Sequence, residues 1–191
     1  MESNRRFYVS SSIYDIPVAK IGGEPASLAE FKGKVLLVVN VASKCGLTPQ
    51  YEGLENLYER FCGQGLVVAG FPANDFKEQE PGTNQEIQSF CTLNYGVKFP
   101  MFSKIAVTGP EKHPLYAELI AAQPQAKGDP AAWAAVLKQH NIDANPAPEL
   151  QWNFEKFIVS RTGEVAARFA PNTAPDAPEL VAAIETELAK D

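Results

Sequence analysis

Five residues are cysteine or histidine, the side chains most often used for nucleophilic or metal chemistry near neutral pH: Cys45, Cys62, Cys91, His113 and His140. No two of them stand at the spacing of a metal-ligand pair. A cysteine–histidine dyad is equally unsupported, since His113-Pro114 reads as a helix start and His140 falls in a segment read as an insertion. Cys45 stands apart. It follows the apolar stretch that begins at Val35, in the turn Ser43-Lys44-Cys45-Gly46, and Thr48-Pro49 after it has the form of a helix N-cap with proline at the first helical position. A cysteine at such a strand-to-helix junction lies beside the positive end of a helix dipole and next to the Lys44 cation, which predicts a lowered pKa and a thiolate. The alternative is a small buried hydrophobe, the ordinary fate of free cysteine.

The elements that would position Cys45 are legible on both sides of it. Val35–Ala42 has the pattern of a strand buried on both faces, as a central parallel strand is. A helix from about Pro49 to Cys62 puts Leu54, Leu57, Tyr58, Phe61 and Cys62 on one stripe, which makes Cys62 a packed structural residue, and Gly63 and Gly65 end it. Leu66–Phe71 is a second apolar strand, so strand, helix and strand form a parallel crossover. The loop from Pro72 to Gly82 follows the carboxyl end of that strand, where open α/β sheets collect their chemistry. Thr83-Asn84-Gln85-Glu86 is a capping box that opens a helix to about Asn94, with Ile87, Phe90 and Cys91 on one face and Gly96 as its stop.

The flanking elements are expected to be a short edge strand at Ser12–Val18, a turn at Gly22-Gly23 and a strand at Ser103–Val107. A helix starts at His113-Pro114 and runs through Ile120. Asp129-Pro130 opens another, carrying Trp133, Val136, Leu137 and His140 on one face, within a segment at about 123–148 that reads as an insertion outside the core. Phe154–Ser160 and Val165–Phe169 form a hairpin. Asp176–Glu179 gives a capping pattern for a last helix with Leu180, Val181, Ile184 and Leu188 on its stripe. Strand–helix–strand, helix, hairpin and helix in this order predict a single domain over residues 1–191 with an α/β thioredoxin-like fold, a central mixed β-sheet flanked by helices on both faces.

Dithiol oxidoreductases of that fold carry Cys-x-x-Cys in the turn. Here it reads Cys45-Gly46-Leu47-Thr48, and threonine cannot resolve a mixed disulfide. A lone nucleophile suits attack on an electrophile such as a peroxide, which gives sulfenic acid. Composition narrows the partners. A net charge of −6 with no basic patch argues against nucleic acid and against stable association with an anionic membrane. Met1–Tyr8 carries Arg5 and Arg6 with no apolar stretch after them, so no secretory signal and a cytoplasmic location are expected. An odd count of three cysteines makes no disulfide framework.

Several strings now carry a resemblance: NVASKCGLTPQYEGLENLY from Asn40 to Tyr58, GFPANDFKEQEPG from Gly70 to Gly82, KFPMF from Lys98, HPLY from His113 and WNFEKF from Trp152. Together they resemble the glutathione peroxidase family in its bacterial cysteine form, over nearly the whole chain from about Ile13. The resemblance implies a thiol-dependent peroxidase that reduces hydrogen peroxide and organic hydroperoxides, with a catalytic tetrad of Cys45, Gln79, Trp152 and Asn153. The chemistry agrees, because amide and indole N–H groups can hold a thiolate and meet charge developing on the departing oxygen.

The resemblance also implies Cys91, in Phe90-Cys91-Thr92, as the resolving cysteine of members reduced by thioredoxin; its alternative is a packed core thiol with glutathione resolving Cys45 directly. A disulfide needs Cα atoms within roughly 7 Å, so the helix bearing Cys91 is expected to unwind partly on oxidation. Ala73 and Asp75 depart from the family, and Asp75 is expected to raise the Cys45 pKa slightly. No metal or organic cofactor is expected; thioredoxin or glutathione is a co-substrate, and the chain is a monomer or dimer. The reading from a different class is a non-enzymatic thioredoxin-fold redox sensor or binding module.

Overall fold

The computed structural model describes residues 12–191, and the expectations attached to Met1–Tyr8 lie outside the described residues. The elements are β1 (Val18–Ala19), β2 (Pro25–Ala26), β3 (Val35–Val41), α1 (Gln50–Phe61), β4 (Leu66–Pro72), α2 (Asn84–Tyr95), α3 (Pro114–Ala122), α4 (Pro130–Gln139), β5 (Lys156–Val159), β6 (Val165–Phe169) and α5 (Pro178–Leu188). β1 and β2 make a small antiparallel pair, and the main sheet has the order β4-β3-β5-β6. β3 runs parallel to β4 and antiparallel to β5, and β5 pairs antiparallel with β6. The expected mixed sheet flanked by helices is present.

Every residue of β3 is buried, because it has sheet neighbours on both sides and helices over both faces. Its register explains the site. The β3–β4 ladder ends at Val41↔Pro72, so the Cys45 turn and the Pro72–Gly82 loop leave adjacent strands at the same end. β5 begins at Lys156, opposite Val39, so residues just before it return to that end too. Three remote stretches of chain therefore meet where β3 stops.

Several expectations are corrected. Ile13–Asp15 is a 3₁₀ turn whose start is capped by the Ser12 hydroxyl, and pairing begins only at Val18, after Pro17, which lacks an N–H. Ser103–Val107 is no strand. The N–H groups of Ser103, Lys104, Ile105 and Val107 go to Ala19 O, Asn84 Oδ1, Pro72 O and Asp75 Oδ2, four partners that belong to no single ladder. Cys62 is exposed rather than packed, because the chain tightens from α-helix to a 3₁₀ turn at Cys62–Gln64 and rotates it off the stripe. α5 starts at Pro178 with no side-chain cap, so Asp176 does not cap it. On α4 the Asp129 cap is present, yet only Leu137 is buried; Val136 and His140 are exposed.

The capping box of α2 is complete, with Thr83 and Glu86 bonding each other's backbone and Gly96 closing the helix in the left-handed region at φ 60°. The 123–148 segment is fastened to the sheet. Lys127 pairs with Phe169 beside β6, and buried Arg168 donates to the carbonyls of Gln123, Pro124, Pro148 and Glu149 while pairing with Glu155 at 2.8 Å. Among the described residues no helix is long and apolar enough to cross a membrane.

Candidate active site

The Cys45 turn is built by Thr48, in a way the capping expectation did not foresee. The Thr48 hydroxyl accepts from the Cys45 N–H at 3.0 Å and donates to Ala42 O at 2.8 Å, so it closes the turn back onto the strand. It does not cap α1, whose first residue follows Pro49 with no side-chain cap. Held in this way, Cys45 is 8% exposed, and its Sγ accepts from the Leu47 N–H at 3.3 Å.

The Pro72–Gly82 loop docks against this turn through its backbone. Ala73 N–H donates to Val41 O at 3.1 Å and Lys44 N–H donates to Gln79 O at 3.0 Å. Lys77 and Glu78 both sit at positive φ, 53° and 52°, the left-handed region that side-chain-bearing residues seldom occupy. Each such residue costs on the order of 1–3 kcal/mol and persists where surrounding contacts enforce it. Here the two turn the chain so that Gln79 faces the third segment.

Trp152 and Asn153 complete the site. Both are buried, at 6% and 0% exposure, and the Trp152 ring leans on Phe76 with centroids 5.3 Å apart. Both side chains sit beside the Cys45 sulfur, where their N–H groups favour the thiolate. Asn153 Nδ2 also donates to Gln79 Oε1 at 3.1 Å. An amide nitrogen has two N–H donors, so one can serve Gln79 and the other the sulfur. All four expected residues are therefore brought together, with Gln79 an acceptor that orients Asn153 where a direct donor to sulfur was expected. Phe154, immediately after Asn153, is again a non-glycine residue at positive φ, 68°.

The electrostatic expectation is overturned. Burial pushes the Cys45 thiol above its ordinary pKa, and hydrogen bonds from Leu47, Trp152, Asn153 and Thr48 only partly offset it. Lys44 acts elsewhere: with Ser43 and Lys104 it lowers the pKa of Glu80, a buried carboxyl whose burial nonetheless raises it overall. Asp75 plays no part at the sulfur either, since its carboxylate accepts from Val107 N–H and from the Thr108 hydroxyl.

Cys91 is 1% exposed within intact α2, beside the Tyr51 hydroxyl, and burial drives its pKa up to about 11. Its surroundings are not those of Cys45, and all three cysteines are free. His113 caps α3, its Nδ1 accepting from Leu115 N–H at 3.2 Å, and burial lowers its pKa. Among the described residues no cluster of three or more His, Cys, Asp or Glu could hold a metal ion.

Two residues escaped the sequence reading. Glu80 is a loop glutamate that is nearly inaccessible, accepts from the Ser43 hydroxyl at 3.1 Å and donates its N–H to Asn74 Oδ1 at 2.9 Å. Nothing in an acidic loop marks one carboxylate as buried. Asn40 is the single polar residue of β3, a signal that was visible inside an otherwise apolar strand.

The chain is similar to known proteins over most of its length. A family model described as glutathione peroxidase matches residues 13–120. The chain is 47% identical over 184 residues to the thioredoxin/glutathione peroxidase BtuE of Escherichia coli K12, covering 95% of this chain and 100% of that protein. It is 44% identical over 179 residues to the hydroperoxy fatty acid reductase gpx1 of Synechocystis, covering 94% and 97%. Among solved structures, T. cruzi GPX1 superposes with a TM-score of 0.66 at 31% identity, over 93% of this chain and 96% of that one. A thioredoxin-family thiol:disulfide interchange protein of Chlorobium tepidum, at 13% identity and TM-score 0.61 over 93% and 96%, shares the fold.

Proposed function

The chain belongs to the glutathione peroxidase family and is a peroxidase, and from that premise we propose that Cys45 is its peroxidatic nucleophile, with Trp152 and Asn153 as donors and Gln79 as the residue that aims Asn153. The observation that carries this reading is a buried cysteine, in a turn locked by Thr48, at the strand end where buried Trp152 and the Asn153–Gln79 pair also meet. In the reaction the Cys45 sulfur attacks one peroxide oxygen: an S–O bond forms, the O–O bond breaks and sulfur loses two electrons to the peroxide. The departing oxygen leaves as water or an alcohol. With the thiol pKa raised, the resting sulfur holds its own proton, and that proton balances the departing oxygen. Trp152 and Asn153, as N–H donors beside the sulfur, favour the thiolate that attacks once this proton has moved to the peroxide.

The sulfenic acid is reduced by a thiol. Cys91 attacks Cys45, the sulfenic oxygen leaves as water, and the resulting disulfide is opened by a dithiol protein through exchange. We assign thioredoxin this role, with glutathione as the lesser reductant, because Cys91 is present and no basic cluster is evident to attract glutathione carboxylates. The Escherichia coli relative, named a thioredoxin/glutathione peroxidase, supports the pair, and the Synechocystis relative supports organic hydroperoxides beside hydrogen peroxide. The sulfur supplies both electrons, so the cycle calls on no metal or organic cofactor. A cytoplasmic location follows the need for a reduced thiol pool.

The test is peroxide consumption by wild type, Cys45→Ser, Cys62→Ser and Cys91→Ser with thioredoxin or glutathione supplied separately. Cys45→Ser is inactive with both, Cys62→Ser is unchanged and Cys91→Ser fails chiefly with thioredoxin. Activity surviving in Cys45→Ser would sink the nucleophile, and full thioredoxin turnover in Cys91→Ser would sink the resolving role.

A further inference from the structure

We propose that Asn40 is a positioning residue for the peroxide reaction, setting Trp152 and Asn153 against the Cys45 sulfur by gripping their backbone; the proposal rests on the reading of those two side chains as donors. Asn40 is fully buried in β3. Its Nδ2 donates to Trp152 O at 3.1 Å, its Oδ1 accepts from the Glu155 N–H at 3.1 Å, and its own carbonyl accepts from the Phe154 N–H at 2.6 Å. Every one of these bonds goes to the stretch 152–155.

The reason lies in how the sheet ends. The β3–β5 ladder stops at Val39↔Lys156, and Phe154, at φ 68°, takes the chain off the pleat. Trp152 O and the Glu155 N–H thereby lose the strand neighbour that would have bonded them. The Asn40 side chain supplies the missing acceptor and donor together, acting as a short length of backbone. No apolar side chain of similar size could do this without leaving two buried backbone groups unpaired. Cys45 lies in the turn that leaves the same strand, five residues after Asn40 and closed back onto Ala42 by Thr48, so the nucleophile and the grip on its donors are anchored to one element. Gln79 orients the Asn153 amide from one side; Asn40 fixes the backbone beneath it.

The experiment follows single-turnover oxidation of the reduced full chain by hydrogen peroxide, and the pH midpoint of Cys45 alkylation, in Asn40→Leu and in Asn40→Ser, which leaves room for a water should the leucine variant not fold. A misplaced donor pair is expected to slow oxidation by roughly tenfold to a hundredfold and to move the alkylation midpoint upward. The deciding comparison is a Trp152→Phe/Asn153→Ala background, in which Asn40→Ser should change the rate by less than about twofold, since residues acting through shared partners are not additive. An equal loss in both backgrounds, or a wild-type rate and midpoint for Asn40→Ser while the background itself is slow, overturns the proposal. A background as fast as wild type overturns instead the reading of Trp152 and Asn153 as donors.

Discussion

Asn153 Nδ2 donates to Gln79 Oε1 at 3.1 Å, joining two residues that are 74 positions apart in the chain and both at the carboxyl end of β3 and β4. With Gln79 accepting, the Asn153 nitrogen faces the site, while its Oδ1 is buried with no hydrogen-bond partner. A rotated amide would turn that acceptor toward the sulfur and repel the charge it has to hold.

Gln79→Ala should therefore slow Cys45 oxidation through Asn153. Loss of a preorganised donor costs about a hundredfold or more, so Asn153→Ala is expected near that figure and Gln79→Ala somewhat below it. In the double variant the two losses should not multiply. Stopped-flow oxidation rates check this; multiplicative losses would mean that Gln79 contacts the reacting atoms independently.

The raised Cys45 pKa predicts a pH profile. Below the pKa, the thiolate fraction grows tenfold per pH unit, so alkylation by iodoacetamide should climb through pH 7 to 9 with no plateau at neutrality. Trp152 and Asn153 favour the charged form, and Trp152→Phe should push the midpoint higher still. A plateau reached by pH 7 would refute the direction given to this thiol.

How the sequence and the structure diverge at Cys45 is instructive. The junction of strand and helix was legible because an apolar run ending in turn residues is a local pattern, although Thr48 does not cap α1 as the Thr-Pro pair suggested, and the capping box of α2 was legible for the same reason. The sign of the pKa shift was not, because helix dipole and Lys44 can be read along the chain whereas burial depends on what arrives from Phe76, Trp152 and Asn153. Cys62 fails in the opposite sense: a helical stripe extrapolated one residue too far, past the point where α1 tightens into a 3₁₀ turn. Gln79, Trp152 and Asn153 were found through family resemblance, since spacing alone gives a polar loop and a core aromatic.

Lys156 offers a test of stability. It is fully buried, its Nζ donating to Pro171 O at 3.1 Å, and burial lowers its pKa from 10.5 to about 7. The unfolded lysine stays protonated up to its ordinary pKa, so between those values the unfolded state binds more protons and stability rises with pH. The gain is complete above the unfolded pKa and is lost as pH falls through the folded one. Relative to Lys156→Met, wild type should gain stability from pH 7 to 9 with a slope of at most about 1.4 kcal/mol per pH unit. Denaturant melts of both proteins at each pH decide it; a difference independent of pH would contradict the shift.

The last prediction concerns the opening of α2. Cys91 is 1% exposed inside that helix, with its carbonyl accepting from the Gly96 and Val97 N–H groups, and the expectation is that its sulfur leaves this packing, by a loosening of the helix, to meet an oxidised Cys45. Thr83 closes the start of α2 through the capping box, its hydroxyl accepting from Glu86 N–H at 3.2 Å while Glu86 accepts from Thr83 N–H at 2.7 Å. Thr83→Ala removes half of that box and should weaken the helix by about 1 kcal/mol, which raises the population of a loosened state about fivefold. If loosening precedes sulfur–sulfur bond formation, disulfide formation after a peroxide pulse should quicken by a similar factor, while the preceding oxidation of Cys45, which does not involve α2, keeps its rate. Quenched-flow trapping of free thiols separates the two steps. Disulfide formation that is unchanged or slower in Thr83→Ala would mean that Cys91 reaches Cys45 without unwinding its helix, or that it is not the resolving thiol; Cys91→Ser distinguishes these, since only in the second case does thioredoxin-supported turnover survive it.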